Sequence, residues 1–402
     1  MSDSRVEERP TQEDASRNRG LEPRPRVEER PTQEDASRNP APEGFETSLR
    51  SSSTRSRSAR PLLWGIGLAV LLLVSMVVAV TIGPAALSPA DVLASVGAHL
   101  GFGESTLSPL RDGIVWQLRM PRVLTAAAVG AGLALCGAVM QAITRNPLAD
   151  PYLLGLSSGA SVGAVVVLVL GWSLMLPVAA FAGAIVALLA TLGLALGAGR
   201  AGGGAGSGGA RLSPTATVLA GVAVTSVFGA ITSLVIFWSA TNDSYREILN
   251  WLLGSLSGTD WTSFAIAGIA LVVVGLPLIA SARTLDAFAV GETGAAALGI
   301  DVGRSRVLLL GGTALLTGAL VAVSGAIGFV GLILPHAVRL IVGPGHRALL
   351  PLSALAGAIF LVWADTGART LFDPRELPVG ILTALIGGPV FAWLLLRRRS
   401  AS

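Results

Sequence analysis

Lysine is missing from this 402-residue chain: all 29 basic residues are arginine. A phosphate-binding loop of the G-x-x-x-x-G-K-[ST] type uses its lysine to reach the β- and γ-phosphates, so that route to nucleotide chemistry is excluded and any nucleotide work falls to another chain. Cysteine is almost as scarce. The single Cys136 rules out an intrachain disulfide and a cysteine-pair metal site. Charged residues make up 13% and aromatics 5%, against 52% hydrophobic residues, 49 glycines and a mean hydropathy of +0.67. That composition is too apolar for an ordinary soluble globule, and apolar runs of about 20 residues recur along the chain, each long enough to cross a bilayer. The sequence therefore predicts an all-α polytopic membrane protein with the lipid bilayer as its solvent. We expect no cofactor, no metal and no nucleic acid.

Residues 1–60 hold 12 arginines and 12 acids and contain RVEERPTQEDASRN twice, at 5–18 and 26–39. Such a segment buries too little apolar surface to offset its ordering entropy, which predicts a disordered cytoplasmic tail, either a spacer or a binding module. A ten-helix transmembrane domain is expected over 61–399. Apolar length and polar breaks place its spans at 62–82, 121–143, 153–170, 174–196, 216–238, 261–281, 307–324, 327–342, 349–370 and 377–396. A shorter amphipathic piece at 245–256 is expected to lie at the membrane face. The Gly-rich stretch after residue 197 reads as a flexible linker.

Arginine bias orients the chain. Arg145, Arg200, Arg211, Arg283, Arg304, Arg306, Arg347 and the clusters flanking the first and last spans fall on one side, which the positive-inside rule makes cytoplasmic. Arg119, Arg122, Arg369 and Arg375 then fall outside. They can snorkel to lipid phosphates, or the three at span ends can form a cationic rim that receives an acidic partner. Small residues three and four apart, as in Gly130, Ala134 and Ala138 or Gly311 and Gly318, suit close helix seams.

The segments RMPRVL, MQAITRNPLADPYLLGLSSGAS, NWLLGSLSG, GETGAAALGIDVGRSR, SGAIGFVGLILPHAVRL and ELPVGILTALIGGPVFAWLLLRRR, in this order between residues 61 and 399, resemble the FecCD family of permeases for ferric siderophores, cobalamin and haem. The resemblance implies a type II ABC importer permease fold of about ten transmembrane helices in the bacterial plasma membrane. It also implies a second permease subunit, identical or related, two ABC ATPase subunits and a substrate-binding protein. Carried over residue by residue, Arg119, Arg122 and Arg369 would dock the binding protein. Asn146 and Leu148 would form an inner gate with Ser213 and Thr215, although Pro214 departs from the small polar residue expected between them. Glu292, Gly294, Gly299 and Arg304, in a segment spanning 283–306, would couple to the ATPase. The acid and the closing arginines of that segment also complement a helix dipole, though an ordinary loop would serve as well.

Two intramembrane ionisable groups have functional readings. His336 could ligate a haem or relay protons, but its LPH-x-x-R setting matches the general family pattern and favours a structural bond near Arg339. Asp365 suits a buried polar partner better than a relay. The expected function is permeation of an iron–siderophore complex, with cobalamin or haem as the alternative cargo and an ion-coupled secondary transporter as the alternative of another class. No Ser/Asp/His constellation supports an intramembrane enzyme.

Overall fold

The computed structural model describes residues 54–105, 107–201, 214–239, 242–372 and 374–399. The duplicated tail segments and Ser213, with most of the Gly-rich linker, lie outside the described residues. The regular elements are all helical: α1 (Thr54–Thr81), α2 (Pro89–His99), α3 (Pro109–Thr144), α4 (Leu156–Val169), α5 (Leu176–Ala201), α6 (Pro214–Ser239), α7 (Asn242–Leu252), α8 (Trp261–Ala280), α9 (Ala282–Ala289), α10 (Glu292–Ala297), α11 (Val302–Ser324), α12 (Val330–Val342), α13 (His346–Thr370) and α14 (Val379–Arg399).

Among the described residues seven helices, not the ten expected, are long and apolar enough to cross a membrane: α1, α3, α5, α6, α8, α11 and α13. The expected third and eighth spans come out as shorter apolar helices, each with a local cause, while α14, 21 residues long, has its described apolar stretch over Val379–Trp393. Before α4 the chain makes a 3-10 turn at Pro151–Leu154, ended by Gly155 at φ 74°, so α4 starts only at Leu156. Before α12, the Tyr152 hydroxyl donates to the Ile327 carbonyl at 3.0 Å and accepts from the Ile327 amide at 3.1 Å. With both backbone groups of Ile327 taken by a side chain, and with Gly325 and Phe329 at positive φ, this stretch stays out of the helix. The 13 residues of α12 then reach about 20 Å, short of the ~30 Å hydrocarbon core.

Helix α3 is the centre of the bundle. Of its most apolar window 94% is buried, against 17% for α1 and for α8. Around α3 pack α8, α11, α12 and, most extensively, α13; a second group consists of α4, α5 and α6, and α11 packs against both α3 and α5. Because lipid tails are as apolar as the side chains, burial alone cannot hold these helices together, and close backbone approach takes over. A Cβ on Gly130 would sit 2.2 Å from the Gly357 carbonyl oxygen, and one on Gly137 would sit 1.9 Å from that of Gly331. Gly159 and Gly183 approach in the same way between α4 and α5. The stripe expected on α11 is only half realised: Gly318 faces Phe181, but nothing lies within 4 Å of a Cβ on Gly311.

These contacts separate two otherwise similar substitutions. Gly137→Ala should lower the unfolding midpoint in detergent, in line with an overpacking cost of about 1–3 kcal/mol. Gly311→Ala should leave it unchanged or raise it, since alanine is the better helix former by up to about 1 kcal/mol. Equal losses in both variants would refute the backbone seam.

Candidate functional site

At one end of the bundle the Arg-x-Pro-Arg step sends its two guanidinium groups to different helices. Residues Ile114–Arg119 form a π turn within α3, one residue short of Pro121, which has no amide hydrogen to return to the preceding turn. Arg119 thereby points inward. It is 7% exposed and donates to the Val80 carbonyl at 2.8 Å and the Thr81 carbonyl at 3.3 Å. Arg369, from the last turn of α13, donates to the neighbouring Ala79 carbonyl. Two arginines thus cap the C-terminus of α1, where carbonyls lack intrahelical partners and the helix dipole favours positive charge. Gly83, at φ 146°, is the residue that lets the Arg119 side chain pass: a Cβ there would lie 2.6 Å from its Nη2.

Arg122 turns to α13 instead. Its Nε and Nη2 each donate to Asp365 Oδ1, at 3.1 and 2.9 Å, its Nε also reaches Oδ2 at 2.9 Å, and its Nη1 donates to Glu376 at 2.8 Å. The Asp365 side chain is 2% exposed and that of Glu376 45%. The three arginines expected as a docking rim are therefore brought together, but each is engaged on the protein's own acceptors. Asp365 is the buried polar partner, not an isolated relay. The residue that sequence reasoning missed is Glu376, the exposed end of this ion-pair chain.

At the opposite end Arg145 closes α3 in the left-handed conformation at φ 50°, and Asn146 accepts the Leu148 amide at 3.0 Å, holding a tight turn. Asn146 and Leu148 are exposed there. Pro214 opens α6 at its first position, which suits a residue without an amide hydrogen, and Thr215 is exposed beside it. The coupling segment forms two short helices, α9 and α10, joined at Gly291 (φ 94°), with Gly299 at φ 80° after α10. Glu292 pairs with Arg306 at 2.8 Å rather than with Arg304, and the buried Arg306 also lies 5.7 Å from the Phe288 ring centroid. Arg304 remains exposed, its amide capped by Asp301.

Between these ends two cavities of about 470 and 420 Å³ share Tyr152, Thr225 and Gly328. Ser157, Ser158 and Ser161 of α4 line one, with Thr225, Gly229 and Thr232 of α6 opposite. Ser226 and Asp150 line the other. The Ser and Thr hydroxyls of α6 recur at helical spacing along one face, a signal carried by the sequence itself. Burial pushes the Asp150 carboxyl up to about 6, against the opposing pull of the Tyr152 amide it accepts at 2.9 Å.

The profile of the FecCD transport family matches residues 71–397. The chain belongs to the FecCD family. This FecCD permease is 43% identical to the ABC transporter permease YvrB of Bacillus subtilis, over 86% of its length and 96% of the relative. It is 40% identical to the cobalamin import system permease BtuC of Halobacterium salinarum, over 85% and 98%, and 38% identical to the vitamin B12 import system permease BtuC of Salmonella schwarzengrund, over 85% and 98%. Among solved structures it resembles a metal-chelate type ABC transporter in an inward-facing conformation, at a TM-score of 0.70 and 32% identity over 83% of this chain and 98% of that one. It is thus a non-catalytic, multi-pass permease subunit of an ABC importer, in keeping with a bacterial inner-membrane location.

The ion-pair chain and the raised carboxyl each make a prediction. Arg122→Gln leaves Asp365 buried without its partner and should cost about 3–5 kcal/mol, whereas Glu376→Gln removes an exposed partner and should cost less than about 1 kcal/mol. Denaturant unfolding in detergent micelles measures both, and equal losses would contradict the burial difference. For Asp150 the folded value lies above the ordinary one, so the folded state holds the proton more tightly. Its contribution is complete below the ordinary carboxylate range and is lost as pH rises through about 6. Asp150→Asn keeps the cap and should flatten the stability profile between pH 4 and 6 relative to wild type.

Proposed function

We propose that this permease carries a cobalamin-type corrinoid, and not the ferric siderophore expected from the sequence, through an ATP-driven importer. The observation that carries this reading is its 40% identity, across 98% of the relative, to a haloarchaeal cobalamin permease. The cavity chemistry agrees. Ser and Thr hydroxyls and small residues line the two cavities together with Leu153, Val222, Leu252, Phe329 and Leu332, and no arginine lines either among the described residues. Such walls suit a bulky, amide-rich cargo that must not be held tightly, and they offer no cation to the two carboxylates of a haem.

In this reading two permease subunits, two ABC ATPases and a substrate-binding protein work together. The binding protein docks at the Arg119, Arg122 and Arg369 end, where an incoming carboxylate can exchange with the exposed Glu376 on Arg122. Asn146, Leu148 and Thr215 gate the opposite end. Glu292, Gly294, Gly299 and Arg304 transmit the ATPase movement. The glycines at positive φ let α10 turn without strain.

The test is uptake by proteoliposomes containing the permease, its ATPase and its binding protein, with labelled cyanocobalamin and a labelled ferric siderophore compared at equal concentration. ATP-dependent accumulation of the corrinoid alone is the expected result. Preferential siderophore uptake would overturn the cargo. Uptake that survives ATP depletion but collapses with an uncoupler would overturn the importer class in favour of an ion-coupled transporter.

A further inference from the structure

Helices α8 and α11 run antiparallel, and a groove of about 390 Å³ opens between them beside α9. Its walls change character along its length. Val273, Pro277 and Leu308 line the part that lies at the depth of the two spans, while Ser281, Thr284 and Ser305 line the end at which α8 finishes and α11 begins. From Val273 to Ser281 is eight residues, or about 12 Å of helix. Gly312 lines the far end, where a Cβ would lie 3.2 Å from Leu278 Cδ2. The polar end carries arginines immediately next in sequence, Arg283 beside Thr284 and Arg304 beside Ser305, and both are exposed. Among the described residues the side chains of Arg283, Thr284, Arg304 and Ser305 have no hydrogen-bond or ion-pair partner, while the neighbouring Arg306 is taken up by Glu292.

A slot that is apolar at bilayer depth and ends in the Thr284 and Ser305 hydroxyls, each next in sequence to an exposed arginine, matches one ligand chemistry: an acyl chain attached to an anionic headgroup. We propose that this groove binds an anionic phospholipid, its acyl chain along Val273 and Leu308 and its phosphate at Ser305, Thr284 and Arg283. The arginine bias puts this end of the bundle on the cytoplasmic side, where such headgroups attract basic residues flanking the membrane. The groove also abuts α9 and the start of α11, the two ends of the 283–306 segment, so an occupied groove brings a lipid to that segment. This site is independent of the cargo.

Native mass spectrometry of the detergent-purified permease, titrated with phosphatidylglycerol or phosphatidylcholine of matched chains, tests the site. Wild type should retain phosphatidylglycerol preferentially, and Arg283→Gln should reduce that preference about fivefold. Thr284→Val with Ser305→Ala, conservative within helices, should reduce it as well. Arg347→Gln, an exposed arginine at the same end but outside the groove, should not. Equal retention of the two lipids by wild type, or an equal loss in Arg347→Gln, would overturn the proposal, since either outcome means a diffuse basic surface. Displacement of the bound lipid by excess inorganic phosphate alone would overturn it too, by showing that the acyl groove contributes nothing.

Discussion

The close approach of α3 to its neighbours is the constraint on which the remaining architecture depends. A side chain at Gly130 or Gly137 would have to enter the space of a carbonyl on α13 or α12. Where the solvent is itself apolar, that fit replaces the hydrophobic effect as the source of specificity. It makes α3 the axis around which the other helices are arranged, and it fixes which helix ends meet. Arg122 can reach Asp365 only because α3 and α13 lie backbone to backbone. The buried ion pair sits at the end of that seam, where a misplaced helix would leave a charge stranded.

A second device shapes the part of the chain that faces the cavities. Tyr152 bonds both backbone groups of Ile327 and so joins the turn after α3 to the break before α12. The resulting irregular backbone is tolerated inside a membrane protein because it is buried in protein or lines a cavity. The two cavities lie against this break, and the residues that shorten α4 and α12 therefore also create the walls a cargo would meet. Asp150, at the same turn, carries a carboxyl that burial has made harder to ionise.

Much of the class was legible from composition, because a chain with this hydropathy has few ways to satisfy its backbone groups except by helices. The periodic small residues foretold seams, and the arginine distribution gave an orientation. Helix lengths were less legible. The run from Ile327 onward is as apolar as a spanning helix needs, and nothing local in it reveals that a tyrosine some 175 residues earlier will claim its backbone. The arginines show the same limit. Their position at span ends was readable, but whether they face outward or cap a neighbouring helix depends on where α1 ends, and that is a property of the assembled bundle.

An all-helical membrane protein, its family, the absence of a lysine-bearing nucleotide loop and the small-residue faces available for packing follow from the order of residues alone. That Arg122 pairs with Asp365 and Glu376, that Arg119 and Arg369 cap α1, that Glu292 pairs with Arg306, and that the helices at 156–169 and 330–342 stop short of crossing are properties of the folded bundle. The division has a physical reason. Solvent preference and helix periodicity are sums over neighbouring residues and can be read along the chain, whereas an ion pair between residues 122 and 365 exists only once backbones distant in sequence have closed to within a hydrogen bond of each other.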